Sequence, residues 1–427
     1  GILAHGSLRR YIDAIGDSAS SAAGVILQFP FYAGIMGMMV GGLPPVFLAQ
    51  KMYSALDSFP LLAVPFFIVA GDIMQKGTIA NSLLAVSRCL VGHIKGGMAH
   101  ISILTSLFYG ALSGSAAATV AAVGGIMIPA MEKEGYPKEF ATAVNSTSGC
   151  LGIMIPPSIP LILFGSTAGV SISDLFVATI VPGILMGCAL MLVSYVICVR
   201  RKYGKTVARA KFAEMLKALY EAKWAIMVPV IVLGGIYGGI TTPTEAGAIA
   251  VVYALFVEVF ITRSMTRKLF FEIIKSSVRI NAAIFLVVAS ATALGQIMMY
   301  YNLSAAVLDT IMGISTSKVV IMALILVVLL ILGTFLEAAA IIMIVTPLLL
   351  PVINAIGVDP VHFGIIMLTS FAVGGQTPPV GMTLFVGASI AKISIERLSI
   401  ASIPYILTLV VMLVIIAFVP QLSLCLI

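Results

Sequence analysis

The chain has 427 residues, of which 60% are hydrophobic and only 10% charged, and it carries a net charge of +7. A soluble domain has roughly 25% charged residues, and no polar stretch here is long enough to form one. Nucleic-acid binding, a cytosolic enzyme and a secreted disulfide scaffold are therefore set aside in favour of an all-α polytopic membrane protein.

Residues 1–17 do not read as a cleaved leader, because the first apolar run comes too late. In chain order, the predicted spans are 21–43, 60–75, 140–165, 174–199, 225–241, 245–262, 280–300, 361–387 and 400–420. Segments 97–131 and 318–353 differ from these. Each is a long apolar stretch interrupted near its middle, at Gly110 to Ser115 and at Gly333 to Glu337. Two short apolar halves around a polar break predict a re-entrant hairpin with its tip inside the protein.

One ungapped offset superposes the two halves of the chain. Ala116-Ala117-Ala118 falls on Ala338-Ala339-Ala340, Pro129 on Pro351, Gly152 on Gly374, Pro156-Pro157 on Pro378-Pro379 and Gly165 on Gly387. Matches of Pro and Gly at a single offset predict an internal duplication.

Charge then orients the copies. The basic loop 200–223, with Arg200, Arg201, Lys202, Lys205, Arg209, Lys211, Lys217 and Lys223, is assigned to the cytoplasm. So is the run Arg263, Arg267, Lys268, Lys275 and Arg279. With both hairpins re-entrant, segment 140–165 runs outward and 361–387 runs inward. Inverted repeats with broken helices mark secondary transporters. The predicted units are 1–96 (scaffold side), 97–173 (first repeat core), 174–317 (connecting helices), 318–398 (second repeat core) and 399–427 (a last span).

The chemistry is expected at the breaks. Ser113 and Ser115, with Asn145 and Ser148, supply hydroxyl, amide and carbonyl oxygens, which are hard ligands suited to an alkali cation. Pro156 and Pro157 break the same helix and free carbonyls that need a partner. The competing reading is a Ser/Gly-rich helix contact. Gly333 and Thr334 with Gly374 and Thr377, before Pro378 and Pro379, repeat the recipe. Two such sites imply at least two sodium ions. Glu337 is an intramembrane carboxylate and a functional candidate on that ground. Glu245 reads better as a helix cap, and Asp72 fits either role. The second halves of the hairpins begin near Ala116 and Ala338, where free N–H groups would suit an anion. The five cysteines and four histidines form no metal or nucleophile motif, and Gly204-Lys205-Thr206 lacks the first glycine of a phosphate loop. No catalytic or organic-cofactor site is expected.

From about residue 43 onward the chain resembles the large membrane subunit of tripartite ATP-independent periplasmic (TRAP) transporters. The stretches that carry the resemblance are LDSFPLLAVPFFIVAG (56–71), GALSGSAAATVAAVGGIMIPAMEKEGY (110–136), GIMIPPSIPLILFG (152–165), GGITTPTEAGAIAVVYAL (238–255), TPLLLPVINAIGVDPVHFGIIM (346–367) and TPPVGMTLF (377–385). Within the family it looks closest to the sialic acid type. The resemblance implies an elevator mechanism, sodium-driven uptake of a carboxylate such as sialic acid or a C4-dicarboxylate, and a bacterial inner-membrane location. It also implies two partners, a small four-helix membrane subunit and a periplasmic substrate-binding protein. The family's sodium sites map to Ser113, Ser115, Asn145 and Ser148, and to Gly333, Thr334, Gly374 and Thr377. The family often has Asp where Glu337 stands. Residues 5–39 instead resemble a piece of the short-chain fatty acid transporters, so the alternative is a stand-alone carrier of short organic acids.

Overall fold

The computed structural model describes residues 44–77, 79–204 and 208–427. The predicted span 21–43 and the resemblance in 5–39 lie outside the described residues. Every regular element among the described residues is helical.

The chain first forms α1 (Pro45–Leu56), a 3₁₀ turn (Phe59–Leu62), α2 (Ala63–Lys76) and α3 (Ile79–Val91). The first hairpin is α4 (Gly97–Ser113) and α5 (Ala116–Lys133). The broken helix behind it is α6 (Lys138–Ser148), α7 (Leu151–Met154) and α8 (Ile159–Ala168), bent by 40° between Met154 and Ile159. Then come α9 (Ile172–Ala178), α10 (Ile180–Arg201), α11 (Phe212–Glu221), α12 (Lys223–Tyr237) and α13 (Pro243–Phe256), the last continued by a π-turn, Val257–Ile261. After α14 (Arg267–Tyr300) and α15 (Leu303–Ile314) the second hairpin is α16 (Lys318–Phe335) and α17 (Ala338–Ala355). The second broken helix is α18 (Pro360–Gly374) and α19 (Met382–Ala391), followed by α20 (Ile395–Phe418) and α21 (Gln421–Leu424).

The duplication is visible in the helix ends. α5 and α17 are offset by 222 at both termini (338 − 116 and 355 − 133), and α6 and α18 begin 222 apart (360 − 138). The repeat also reaches beyond the hairpins. Subtracting 222 from α14 gives 45–78, the place of α1 and α2, where Pro60 interrupts what is one continuous helix in the second copy. Helices α11 to α13 have no counterpart among the described residues and link the copies.

Three expectations change. The loop 200–223 contains the amphipathic helix α11, with Phe212, Leu216 and Tyr220 exposed. The helix of the predicted span 280–300 begins earlier, at Arg267, so Arg267, Lys268, Lys275 and Arg279 lie on it rather than in a loop. Thr266 caps that helix by accepting from the Leu269 N–H at 3.2 Å, and its long basic side chains can reach outward while their stems stay apolar. Finally, the hairpin arms have 17 or 18 residues, about 26 Å of helix, so each is close to the bilayer's hydrocarbon thickness.

What makes these pairs hairpins is closure at both ends. α4 and α5 pack along one another. α16 and α17 hardly touch in mid-course, yet Lys318 at the start of one donates to the carbonyl of Gly357 just past the end of the other, at 2.9 Å.

The two broken helices cross antiparallel, as inverted copies must. Gly387 packs on Ser146, the Thr369 hydroxyl lies 3.9 Å from the Met154 sulfur, and Phe164 meets Phe363 at 6.2 Å between ring centres. Their second halves exchange partners: α8 packs on α17 of the other copy, and α19 packs on α5 and α6. Gly333 and Gly374 form the tightest backbone approach of the second copy, since a methyl group on Gly374 would lie 2.6 Å from the Gly333 carbonyl carbon. Gly374→Ala is expected to lower stability by about 1–3 kcal/mol through overpacking. Gly125→Ala, where a methyl group meets nothing within 4 Å, should leave the thermal midpoint in detergent unchanged or slightly raised.

Candidate functional site

The first site is built around the two residues between α4 and α5. Gly114 takes a left-handed conformation (φ +59°), which favours glycine. It reverses the chain within two residues and lays the tip against the break of the first broken helix. A methyl group on Gly114 would lie 2.8 Å from the Pro157 carbonyl oxygen, and one on Gly110 would lie 2.6 Å from that of Leu151. Pro156 and Pro157 remove the donors that Gly152 and Ile153 would otherwise bond one turn on. Both proline pairs, 156–157 and 378–379, are cis.

Three oxygens converge at this tip. The Ser113 and Thr119 hydroxyls are 2.9 Å apart, and Thr119 donates to the Ser115 carbonyl at 2.9 Å. Ser113 donates to the same carbonyl at 3.3 Å. Ser115 caps α5, its hydroxyl accepting from the Ala118 N–H at 3.5 Å. Thr119 was not among the residues chosen from sequence. Its position one turn into α5 from Ser115 is the signal that could have found it, because a hydroxyl there points back to the cap.

Asn145 and Ser148 sit on α6, in the broken helix behind the hairpin. Ser148 pairs with Ser106 at 3.0 Å. In the amide orientation that satisfies both ends, Asn145 accepts from the Gly124 N–H at 3.0 Å and donates to the Val120 carbonyl at 3.2 Å. Both side chains are fully buried and already hydrogen-bonded, so they fasten α6 to the two hairpin arms. The structure thus brings Ser113 and Ser115 together with Thr119, and places Asn145 and Ser148 at the helix contacts behind them.

At the second tip, Gly333 and Gly374 meet through their backbones. The flanking hydroxyls bond to their own helices: Thr334 donates to the Ile331 carbonyl at 2.7 Å and Thr377 to that of Val373 at 2.8 Å. The carbonyls freed by Pro378 and Pro379 find other donors. Gly374 accepts from the Thr377 N–H at 2.9 Å, and Gly375 accepts from both the N–H (3.2 Å) and the hydroxyl (3.1 Å) of Thr383. Gln376 is fully buried in this break, with the Cys150 thiol beside its amide. Sequence reading passed over Gln376 and Thr383.

Glu337 caps α17, its carboxylate accepting from the Ala339 N–H at 3.1 Å. It takes the place in the second copy that Ser115 holds in the first, so the two second arms are capped by equivalent residues of different charge. Ala116 and Ala338 each open the helix behind these caps. Glu245 forms a capping box with Thr242: its carboxylate accepts from the Thr242 N–H at 2.8 Å, and Thr242 accepts from the Glu245 N–H at 3.3 Å. Asp72 is buried and accepts from the Ser277 hydroxyl at 2.8 Å.

The donor set at the first tip is neutral, hard and convergent, and it fits an alkali cation. The second tip offers carbonyls, the buried Gln376 amide and a nearby carboxylate, which also suits a cation.

Two hairpins seated in two broken, antiparallel helices define a secondary-transporter permease. Residues 19–422 match the family described as tripartite ATP-independent periplasmic transporter, DctM component. The chain belongs to this family. The match takes in residues 19–40 of the amino-terminal stretch. It is 44% identical over 380 residues to the isethionate TRAP transporter permease protein DctMQ of Oleidesulfovibrio alaskensis, covering 89% of this chain and 60% of that longer protein. It is 38% identical to the sialic acid TRAP transporter large permease protein SiaM of Vibrio cholerae, covering 89% of each. Of these two, the isethionate relative is the more similar. The crystal structure of the YdaH transporter of Alcanivorax borkumensis shares the fold, with a TM-score of 0.66 at 14% identity over 92% of this chain and 97% of that one.

The oxygens at the first tip and the buried Asn145 bridge lead to different expectations. Thr119→Val is expected to weaken sodium dependence of transport by about tenfold, the equivalent of about 1.4 kcal/mol, with little change in thermal midpoint. Asn145→Ala should do the reverse, lowering the midpoint through loss of a buried bridge. Sodium titrations of uptake and thermal unfolding in detergent read both.

Proposed function

We propose that this chain is the large membrane subunit of a sodium-coupled uptake system for a small organic anion in a bacterial inner membrane. A periplasmic binding protein delivers the anion, a small four-helix subunit completes the scaffold, and the hairpin-bearing core moves as an elevator. The substrate is a carboxylate or a sulfonate. Support for an anion comes from the named relatives and from the contrast between the two caps. Ser115 leaves the start of α5 without a negative charge, whereas Glu337 already supplies one at the start of α17. An anion is therefore favoured at the first tip, beside the oxygens that would hold sodium.

The observation that carries the reading is the seating of each tip in a proline break, in two copies of opposite direction. A further contact supports the moving core. α2 and α13 run parallel: Thr244 donates to the Phe59 carbonyl at 3.0 Å, and Gly77 lies against Glu258. Since α13 leads to the basic loop at 263–268, Gly77 is at the cytoplasmic end of α2. The first tip meets α2 close to that end. Gln75 donates to the Ala118 carbonyl at 3.1 Å, and a methyl group on Gly71 would lie 3.0 Å from the Leu112 carbonyl oxygen. The tip is then low in the membrane, in an inward-facing arrangement.

The test is uptake into proteoliposomes under a sodium gradient, with and without the binding protein and small subunit, using isethionate, N-acetylneuraminate and a C4-dicarboxylate. Uptake is expected to require sodium and both partners. Uptake by this chain alone would favour the stand-alone carrier instead. In a background without native cysteines, Gln75→Cys with Ala118→Cys should form a crosslink that stops uptake and is reversed by reductant. Undiminished uptake by the crosslinked protein would falsify the elevator.

A further inference from the structure

A groove of about 480 Å³ opens on the outer surface between the end of α13 and the start of α14. Val252, Phe256, Val259, Phe260, Phe270 and Phe271 line it. Most of these are strongly exposed, Val252 at 68%, Phe260 at 66% and Phe271 at 70%. The apolar wall is that of a bilayer-facing surface. One end of the groove is different. Arg267 lines it, and Arg263 and Lys268, both exposed, flank it in the loop and first turn. The acidic groups nearby offset this charge only in part. Glu258 is fully buried on the inner side, accepting from the Thr262 hydroxyl at 2.7 Å and from the Ser264 hydroxyl, so Glu272, exposed about one turn into α14, is the acid on the outer side.

An apolar trough ending in two arginines and a lysine at the cytoplasmic boundary matches one molecule in both shape and charge. We propose that this groove binds an anionic phospholipid, with an acyl chain along Val252 to Phe271 and the phosphate against Arg263, Arg267 and Lys268. The charge favours an anionic headgroup over a zwitterionic one, because each basic residue near the membrane surface adds attraction for negative lipid. The order along the groove fits the bilayer: the aromatic residues lie toward the hydrocarbon, and the basic ones lie at headgroup level, where long cationic side chains are at home. No residue of either hairpin tip lines the groove, and the inference does not rest on the proposed transport cycle.

The experiment uses the full chain, purified from mixed micelles of equal phosphatidylethanolamine and phosphatidylglycerol, with retained lipid measured by mass spectrometry. Phosphatidylglycerol is expected to be enriched about tenfold over phosphatidylethanolamine. Arg263→Gln/Arg267→Gln/Lys268→Gln should abolish the enrichment. Arg200→Gln/Arg201→Gln/Lys202→Gln, which removes the same charge from another cytoplasmic segment, should preserve it. Equal enrichment in both triple variants would overturn the proposal, and so would displacement of the lipid by millimolar inorganic phosphate, which would mark a free-anion site. A photoreactive benzoylphenylalanine in place of Phe260, in an otherwise unchanged protein, gives a second reading. Crosslinks to phospholipid are expected. Crosslinks only to another segment of the chain or to the small subunit would show that protein covers the groove and would overturn the proposal.

Discussion

A helix broken inside a bilayer must find new partners for the polar groups it exposes, and the rest of this structure follows from that requirement. Water is not there to supply them. Each proline pair strips two carbonyls of their helical donors, and each hairpin tip is brought to the resulting gap. The fit depends on small residues. Gly110 and Gly114 in the first copy, and Gly333 with Gly374 in the second, let backbone meet backbone where any side chain would intrude. The tips are therefore held by close approach of main chain rather than by large side chains, as expected where lipid gives no hydrophobic drive between helices.

Duplication supplied two such breaks, and inversion allowed them to support one another. The second half of each broken helix leaves its own hairpin and packs on the other's second arm. Neither copy could bury its broken helix alone. The copies have nonetheless diverged where chemistry is concerned. In the second, Thr377 and Thr383 take up the freed carbonyls and Glu337 adds a charge. In the first, Ser113, Ser115 and Thr119 gather neutral oxygens around the cap of α5. A symmetric frame thus carries an asymmetric pair of tips.

Outside this core, α11 to α13, which have no counterpart among the described residues, set the boundary with the membrane. α11 lies amphipathic beside the basic loop, and α13 ends in a π-turn beside the basic start of α14. α2 runs between α13 and the first tip, and Gln75 and Gly71 make its contact with that tip.

Several features were determined by sequence alone because they depend on local chemistry. The composition required a membrane helix bundle. The Pro-Pro pairs and glycines marked both breaks, and their constant spacing revealed the repeat; the capping box at Thr242 and Glu245 was legible for the same reason. Tertiary structure decided what depends on which distant side chain faces which. Asn145 and Ser148 find their partners in Gly124, Val120 and Ser106, contacts that only the packing of α6 on the hairpin creates. Thr119 joins the first tip because α5 turns its first coil back over Ser115. The exchange of α8 and α19 between copies has no signature along the chain, because helix partners in a bundle are chosen by shape and small-residue contacts rather than by sequence spacing.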